Sequence, residues 1–89
     1  MRFMVVSSQV PNLDAEQTQR LYAAMGDFYG KVPPGVTLEG DYIKADRSGS
    51  YSILSVPDRA TLDRIMAPFA GLVLVEIVEV KTMTELQGA

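Results

Sequence analysis

The sequence predicts an α+β fold in which one four-stranded antiparallel sheet carries two helices. Three observations lead to it: four short segments rich in β-branched residues, two segments with apolar residues at helical spacing, and Gly or Pro at most boundaries between them. At 89 residues the chain fits one small domain. We assign residues 1–83 to that domain and residues 84–89 to a polar C-terminal tail, frayed or used in an oligomer contact.

The first half of the chain predicts one strand and one helix. Residues 2–8 are apolar on both faces of a strand. Asp14 and Gln17 have the spacing of a capping box, with Asn12 as an alternative cap, and residues 30–35 end the helix. Its apolar stripe is Leu13, Leu21, Ala24, Met25 and Phe28, with Tyr22 and Tyr29 at the edge, interpreted as flanks of the core rather than ligand-stacking residues.

A hairpin follows, with predicted strands at residues 36–45 and 50–56 and a turn at residues 46–49. Gly40 marks a bulge or a point of close approach. A one-residue change in the turn would move the later strand's side chains to the other face, since side chains alternate with period two. The four-residue turn sets Lys44 opposite Tyr51 and Tyr42 opposite Ile53, with Ser55 on the same face.

The second helix and the last strand complete the domain. Asp58 is the predicted N-cap, and residues 68–71 end the helix. Residues 72–80 then form a strand that is apolar on both faces apart from Glu76 and Glu79. The helical stripe is Leu62, Ile65, Met66 and Phe69.

This order, strand–helix–strand–strand–helix–strand, is that of the ferredoxin-like βαββαβ fold with both helices on one side of the sheet. The apolar stripes of the two helices can cover only one face of the sheet. The other face is too apolar to be left exposed to water in a monomer. We therefore predict a homodimer, a dimeric α+β barrel, with assembly into a higher oligomer left open. The bare face carries Met4, Val6, Tyr51, Ile53, Leu72, Leu74, Val78 and Val80.

Composition excludes several classes of function. A net charge of −3, a pI near 4.7 and no run of Lys or Arg argue against nucleic acid or a membrane as partner. The chain has no Cys and no His, which removes thiol catalysis, a Ser-His-Asp triad and the usual zinc ligands. We predict no metal and no cofactor. The N-terminal apolar run is too short for a secretory signal, and a cytoplasmic location is expected.

The second half of the chain resembles muconolactone isomerase-like proteins. The matching residues are Tyr51, Ser52, Ile53, Val56, Leu62, Pro68 and the run 75–78. The start MRFMVV, the segment PPGV and Gly40 also resemble a small family of uncharacterised bacterial domains of the same barrel class. The resemblance implies work on cyclic, aromatic or polyketide-like compounds: isomerisation, cyclisation or cofactor-free oxygenation. With no His or Trp present, no catalytic residue is carried over.

The candidate catalytic residues are Glu76, Tyr51 and Tyr42. Glu76 is the one charge on the face predicted to meet a second copy, where desolvation would raise its pKa toward a useful range. The alternative is that Glu76 is wet at the barrel mouth or paired with Lys44 or Arg2. The tyrosines can donate to a carbonyl or stack on a ring, or be ordinary half-exposed strand residues. The predicted substrate-binding residues are Met4, Val6, Ser8, Lys44, Ile53, Ser55 and Leu74.

Two classes of function stay open. The first is a cofactor-independent isomerase or cyclase, of a biosynthetic kind, acting on a small molecule in a dimer-barrel pocket of roughly 300 Å³ or more. Tyr42, Tyr51, Ser55 and Glu76 would line that pocket. The second is a non-catalytic ligand-binding or assembly module whose dimer interior is filled by side chains. A cofactor-free monooxygenase is a third alternative, less favoured because no residue indicates oxygen activation.

Overall fold

The structure, a computed structural model, describes residues 1–88 and confirms the α+β prediction. Four strands form one antiparallel sheet in the order β2-β3-β1-β4, the ferredoxin-like arrangement. A short 3₁₀ turn, Ala67–Phe69, extends the second helix. The elements are β1 (Arg2–Gln9), α1 (Ala15–Gly30), β2 (Thr37–Ile43), β3 (Gly49–Ser55), α2 (Arg59–Met66), β4 (Val73–Glu79) and α3 (Met83–Gln87).

Both main helices start at the predicted caps. The Gln17 amide donates to Asp14 Oδ1 at 2.7 Å and the Asp14 amide donates to Gln17 Oε1 at 3.0 Å, so the capping box begins α1. Asn12, the alternative cap, lies outside the helix at a φ of 65°. In α2 the Thr61 amide donates to Asp58 Oδ1 at 2.7 Å. Hydrogen bonds from the Thr61 hydroxyl and amide hold the pKa of Asp58 below its usual range.

The core lies between one face of the sheet, here called the helix-facing side, and the helices. Leu62 of α2 is fully buried against it. Phe28, Leu38, Ile65, Met66 and Ile77 pack around this cluster while partly exposed. The buried cluster consists of Phe3, Val5, Val36, Leu54, Val56 and Leu62.

The hairpin register differs from the predicted one. Tyr42 pairs with Tyr51, and the Lys44 amide donates to the Gly49 carbonyl at 2.9 Å, so the turn is residues 45–48 and starts one residue early. The predicted pairs, Lys44 with Tyr51 and Tyr42 with Ile53, are wrong. The displacement is two positions in pairing, which preserves the assignment of side chains to faces. The bulge at Gly40 is confirmed.

Gly49 explains the different turn. A Cβ there would clash with the backbone oxygen of Ser7, so its place is in the sheet, against β1, rather than in the turn. The left-handed position of the turn falls to Arg47, at a φ of 63°. The side chain of Asp46 supports it by accepting from the Ser48 amide and hydroxyl at 2.9 and 2.6 Å.

One expectation for the C-terminal region needs correction, and the structure adds a short helix there. Leu72, predicted on the bare face, is 2 % exposed and precedes β4, because the turn at Gly71, φ 76°, delays the strand by one residue. Most of α3, Met83–Gln87, lies in the predicted tail, and its N-cap Thr82 forms a capping box. Arg2 ties this helix to the sheet by donating to both Glu39 and Glu85, at 2.7 and 2.5 Å. Residue 89, the end of the predicted tail, lies outside the described residues.

The opposite side of the sheet, here called the open face, carries several exposed apolar side chains. Leu74 is 59 % exposed there and Tyr42 is 68 % exposed, while Met4, Val6 and Ile53 are half-buried by their neighbours. In the part of the chain that is described, no helix combines the length and the apolar character needed to cross a membrane.

Candidate functional site

A cleft of about 620 Å³ lies between α1 and the helix-facing side of the sheet. Its walls are mostly apolar, and its floor is formed by β1 and β3. The 3₁₀ turn after α2 closes part of it through Phe69, whose ring meets that of Phe28 edge-on at 6.5 Å. The apolar lining consists of Val5, Leu21, Met25, Phe28, Ile43, Leu54, Met66, Phe69 and Val73.

Small side chains on the floor create this space. Val5, Ser52 and Asp41 form one rung across β1, β3 and β2, on the same face as the buried residues of the core. The next rung, about 7 Å further along the strands, holds Ser7 and Ser50. Serines occupy positions where a core strand ordinarily carries Val or Leu, and the cleft lies between them and Leu21 and Met25 of α1.

The two serines of the second rung form a hydroxyl pair. Ser7 Oγ and Ser50 Oγ are 2.6 Å apart, and both are half-buried. Either hydroxyl can be the donor, which leaves the other hydrogen available to a ligand. Both residues line the cleft, so its floor presents at least one polar group that can donate or accept.

A second polar group, formed by Tyr29, Asp41 and Ser52, stands at the β2 side of the cleft. The Tyr29 hydroxyl donates to Asp41 Oδ2 at 2.6 Å and the Ser52 hydroxyl donates to Asp41 Oδ1 at 2.9 Å. Burial, followed by the bond to the Asp41 carboxylate, raises the pKa of Tyr29 to about 12. The phenol therefore stays protonated at neutral pH, and Tyr29 is one of the residues that line the cleft.

The end of the cleft at the β2–β3 turn, here called its mouth, is lined by exposed residues. Gln9 and Arg47 line it there, and the Gln9 side-chain amide donates to the Arg47 carbonyl at 2.8 Å. Within residues 1–88 no three His, Cys, Asp or Glu side chains are grouped to hold a metal ion. Hydroxyls, an amide and a guanidinium beside apolar walls instead suit an organic ligand with few polar atoms.

The residues predicted as the site lie on the open face instead. Glu76 is exposed and opposite Val6, and in residues 1–88 it forms no ion pair with Arg2 or Lys44. Lys44 Nζ stands 5.6 Å from the centre of the Tyr51 ring. The register places Tyr42, Met4, Val6, Ile53, Ser55 and Leu74 on that same face, and Ser8 also reaches the rim of the cleft.

Sequence reasoning missed Tyr29, Asp41, Ser50 and Ser52. The signal was present in the segment SGSYSILS. Two positions of this strand that should face the core hold small serines, and the large residues next to them face the other way. Tyr29 was recognised as lying at the edge of the stripe of α1, but its partner Asp41 is twelve residues away on another element.

The family model described as "Domain of unknown function (DUF3303)" matches residues 1–89, the whole chain. The chain belongs to DUF3303. A search of curated proteins finds no match. Since the DUF3303 match runs from the first residue to the last, it includes every residue of the cleft and of the open face. The resemblance to muconolactone isomerase-like proteins stays a prediction.

Proposed function

We propose that this DUF3303 domain binds a small, mainly apolar molecule in the cleft beneath α1 and isomerises or cyclises it by proton transfer. The observation that carries the proposal is the cleft itself: about 620 Å³, apolar walls and a floor of hydroxyls beside the Tyr29–Asp41 pair. Small-molecule sites have this size and this balance of apolar surface with few polar groups. The resemblance to muconolactone isomerase-like proteins supports the same reaction class, and a cytoplasmic location stays a prediction.

Tyr29 and Asp41 provide a route for the proton. A substrate bearing an acidic C–H next to a carbonyl gives its proton to Tyr29 Oη as the phenol proton passes to Asp41 Oδ2. The negative charge moves from Asp41 to the substrate as an enolate, and a hydroxyl of the Ser7–Ser50 pair donates to its oxygen. Return of the proton to a different carbon gives the isomer, with no net oxidation.

The open face belongs to a second copy of the chain in this proposal. Leu74, Tyr42 and Val78 are 59 %, 68 % and 44 % exposed on it, more apolar surface than a monomer usually leaves to water. A two-fold axis would bury the same residues of both copies. Glu76 and the other residues predicted on this face would then lie between copies, while the reaction takes place beneath α1.

Binding is tested with phenylnaphthylamine, an apolar dye that fluoresces when shielded from water. We expect saturable fluorescence with the unaltered domain and its loss in Met25→Trp, where a larger side chain fills the cleft. Leu74→Trp, the matched control, adds the same ring on the open face and should retain the signal. Equal loss in both variants, or none in Met25→Trp, would show that the dye binds outside the cleft.

Proton transfer is tested by hydrogen exchange. Small cyclic keto acids and lactones are incubated with the domain in heavy water, and deuterium at their carbon positions is followed by NMR. We expect exchange that Tyr29→Phe and Asp41→Asn both reduce, whereas Tyr42→Phe on the open face leaves it unchanged. Exchange that persists in Tyr29→Phe at the original rate would remove this pair from the mechanism.

A further inference from the structure

We propose that Arg47 makes the cleft selective for apolar molecules that carry an anionic group, such as a carboxylate, at the end that remains near the mouth. The inference rests on the proposed binding function of the cleft and names the class of molecule it takes. It depends on where Arg47 is held, on which charges surround it, and on the position of Asp41, which lies further from the turn along β2.

The turn that holds Arg47 is fixed from two sides. On one side, β1 reaches it through two hydrogen bonds from Gln9: the side-chain amide donates to the Arg47 carbonyl at 2.8 Å and the backbone amide to the Ser48 carbonyl at 2.9 Å. On the other, the Arg47 amide donates to the Lys44 carbonyl at 2.8 Å. The guanidinium is therefore carried on a backbone that is anchored beside the opening.

The conformation of Arg47 favours a smaller residue. A φ of 63° is left-handed, where Gly, Asn or Asp is much more common than a long side chain. An Arg at such a position retains a strained backbone without any visible gain to the turn, since its side chain makes no hydrogen bond within residues 1–88. A role for the guanidinium in binding accounts for its presence.

The charges around Arg47 leave it available. Among residues 1–88, Arg2 and Arg59 are in ion pairs, whereas Arg20, Arg47 and Arg64 are in none. Of these three, Arg47 is the one that lines the cleft. The carboxylate of its neighbour Asp46 is occupied by the amide and hydroxyl of Ser48. In a chain with a net charge of −3, this cation at the opening is the group most suited to attract an anion.

Asp41 gives the bound molecule a direction. It lies on the rung of Val5 and Ser52, with the hydroxyl rung between it and the turn that carries Arg47. Asp41 is exposed on β2 and holds Tyr29, which lines the cleft. An anionic group is attracted to Arg47 and repelled from Asp41, so the apolar end of the molecule is the one that approaches Tyr29. The same arrangement that selects an acid thus also orients it for proton transfer.

Two dyes of nearly equal shape test this: phenylnaphthylamine, which is neutral, and anilinonaphthalene sulfonate, which carries one anion. We expect Arg47→Asn to raise the dissociation constant of the sulfonate about tenfold, as loss of one charge-assisted hydrogen bond does, and to leave that of the neutral dye unchanged. Asn tolerates the left-handed backbone, so the turn remains. Arg47→Lys should retain most of the sulfonate affinity, and Arg59→Gln is the control for loss of a charge elsewhere.

The outcomes separate the two proposals. If Arg47→Asn weakens both dyes equally, or neither, then Arg47 does not select the anion, and binding in the cleft stands. If sulfonate affinity falls as much in Arg59→Gln as in Arg47→Asn, general charge rather than the mouth explains it, which overturns the inference. If neither dye binds the unaltered domain, or Met25→Trp leaves both bound, the cleft is not the site and both proposals are wrong.

Discussion

Replacing Tyr29 with Phe tests the pair on which the proposed chemistry depends. Tyr29 has a pKa raised from 10.0 to about 12, by burial and by its bond to Asp41. Two pKa units correspond to about 2.7 kcal/mol. Because Tyr29 is 50 % exposed, screening by water lowers the expected effect on folding to about 1 kcal/mol.

The sign of the pH dependence follows from the direction of the shift. A raised pKa in the folded state means that folding favours the neutral phenol, so this contribution is fully present below about pH 10 and is lost as pH rises from there toward about pH 12. The unaltered domain should therefore lose about 1 kcal/mol more stability than Tyr29→Phe between about pH 9 and about pH 11.

Urea unfolding followed by circular dichroism measures this difference at each pH. Tyr42→Phe, on the open face, is the control and should match the unaltered domain. In an Asp41→Asn background the effect of Tyr29→Phe should shrink, because the charged acceptor is gone. Parallel loss of stability in Tyr29→Phe and the unaltered domain would refute the Tyr29–Asp41 interaction.

Three further predictions concern the fold. In a monomer, Leu74→Ala should lower the free energy of unfolding by only about 1 kcal/mol, whereas in the proposed dimer the loss should approach the ~2–5 kcal/mol of Leu62→Ala. The urea midpoint of a dimer should also rise with protein concentration, and no concentration dependence would contradict the dimer. Gly49→Ala should destabilise by about 1–3 kcal/mol, since its Cβ meets the backbone of β1, whereas Gly26→Ala, in open space on α1, should stabilise by about 1 kcal/mol. Asp58→Asn keeps the helix cap but cannot titrate. Because the pKa of Asp58 is lowered on folding, its carboxylate stabilises the unaltered domain, and this stabilisation is lost as pH falls below about 4. Melting temperatures of the two proteins that fall in parallel in acid would contradict this.

The order of elements could be predicted because each is defined by neighbours in the sequence. Asp14 and Asp58 cap helices through residues three positions away, and the bulge lies beside Gly40, between it and Leu38. The alternation of β4 likewise placed Leu74 on the open face. The hairpin register could not be predicted from neighbouring residues. Gly49 lies in the sheet against β1, more than forty residues away in the sequence, and not in the turn beside it.

The candidate site could not be predicted in the same way. A cleft is a space that side chains do not fill. Its volume depends on the distance between α1 and the sheet at Ser50 and Ser52, which no local sequence pattern gives. The site was predicted on the open face because the apolar residues of that face form a regular alternating pattern in the sequence. The Tyr29–Asp41 pair joins a helix and an edge strand, and no local spacing indicates that these two residues meet.

The hydroxyl pair of the cleft floor affects how widely the domain can accept ligands. Because Ser7 and Ser50 satisfy each other at 2.6 Å, an empty cleft leaves neither hydroxyl without a partner. A ligand carbonyl is met by the hydrogen that points away from the pair, and a ligand hydroxyl by an oxygen lone pair after both hydrogens rotate. The pair can therefore donate to a carbonyl and accept from an enol. A ligand that changes from one form to the other keeps its hydrogen bond to the cleft floor.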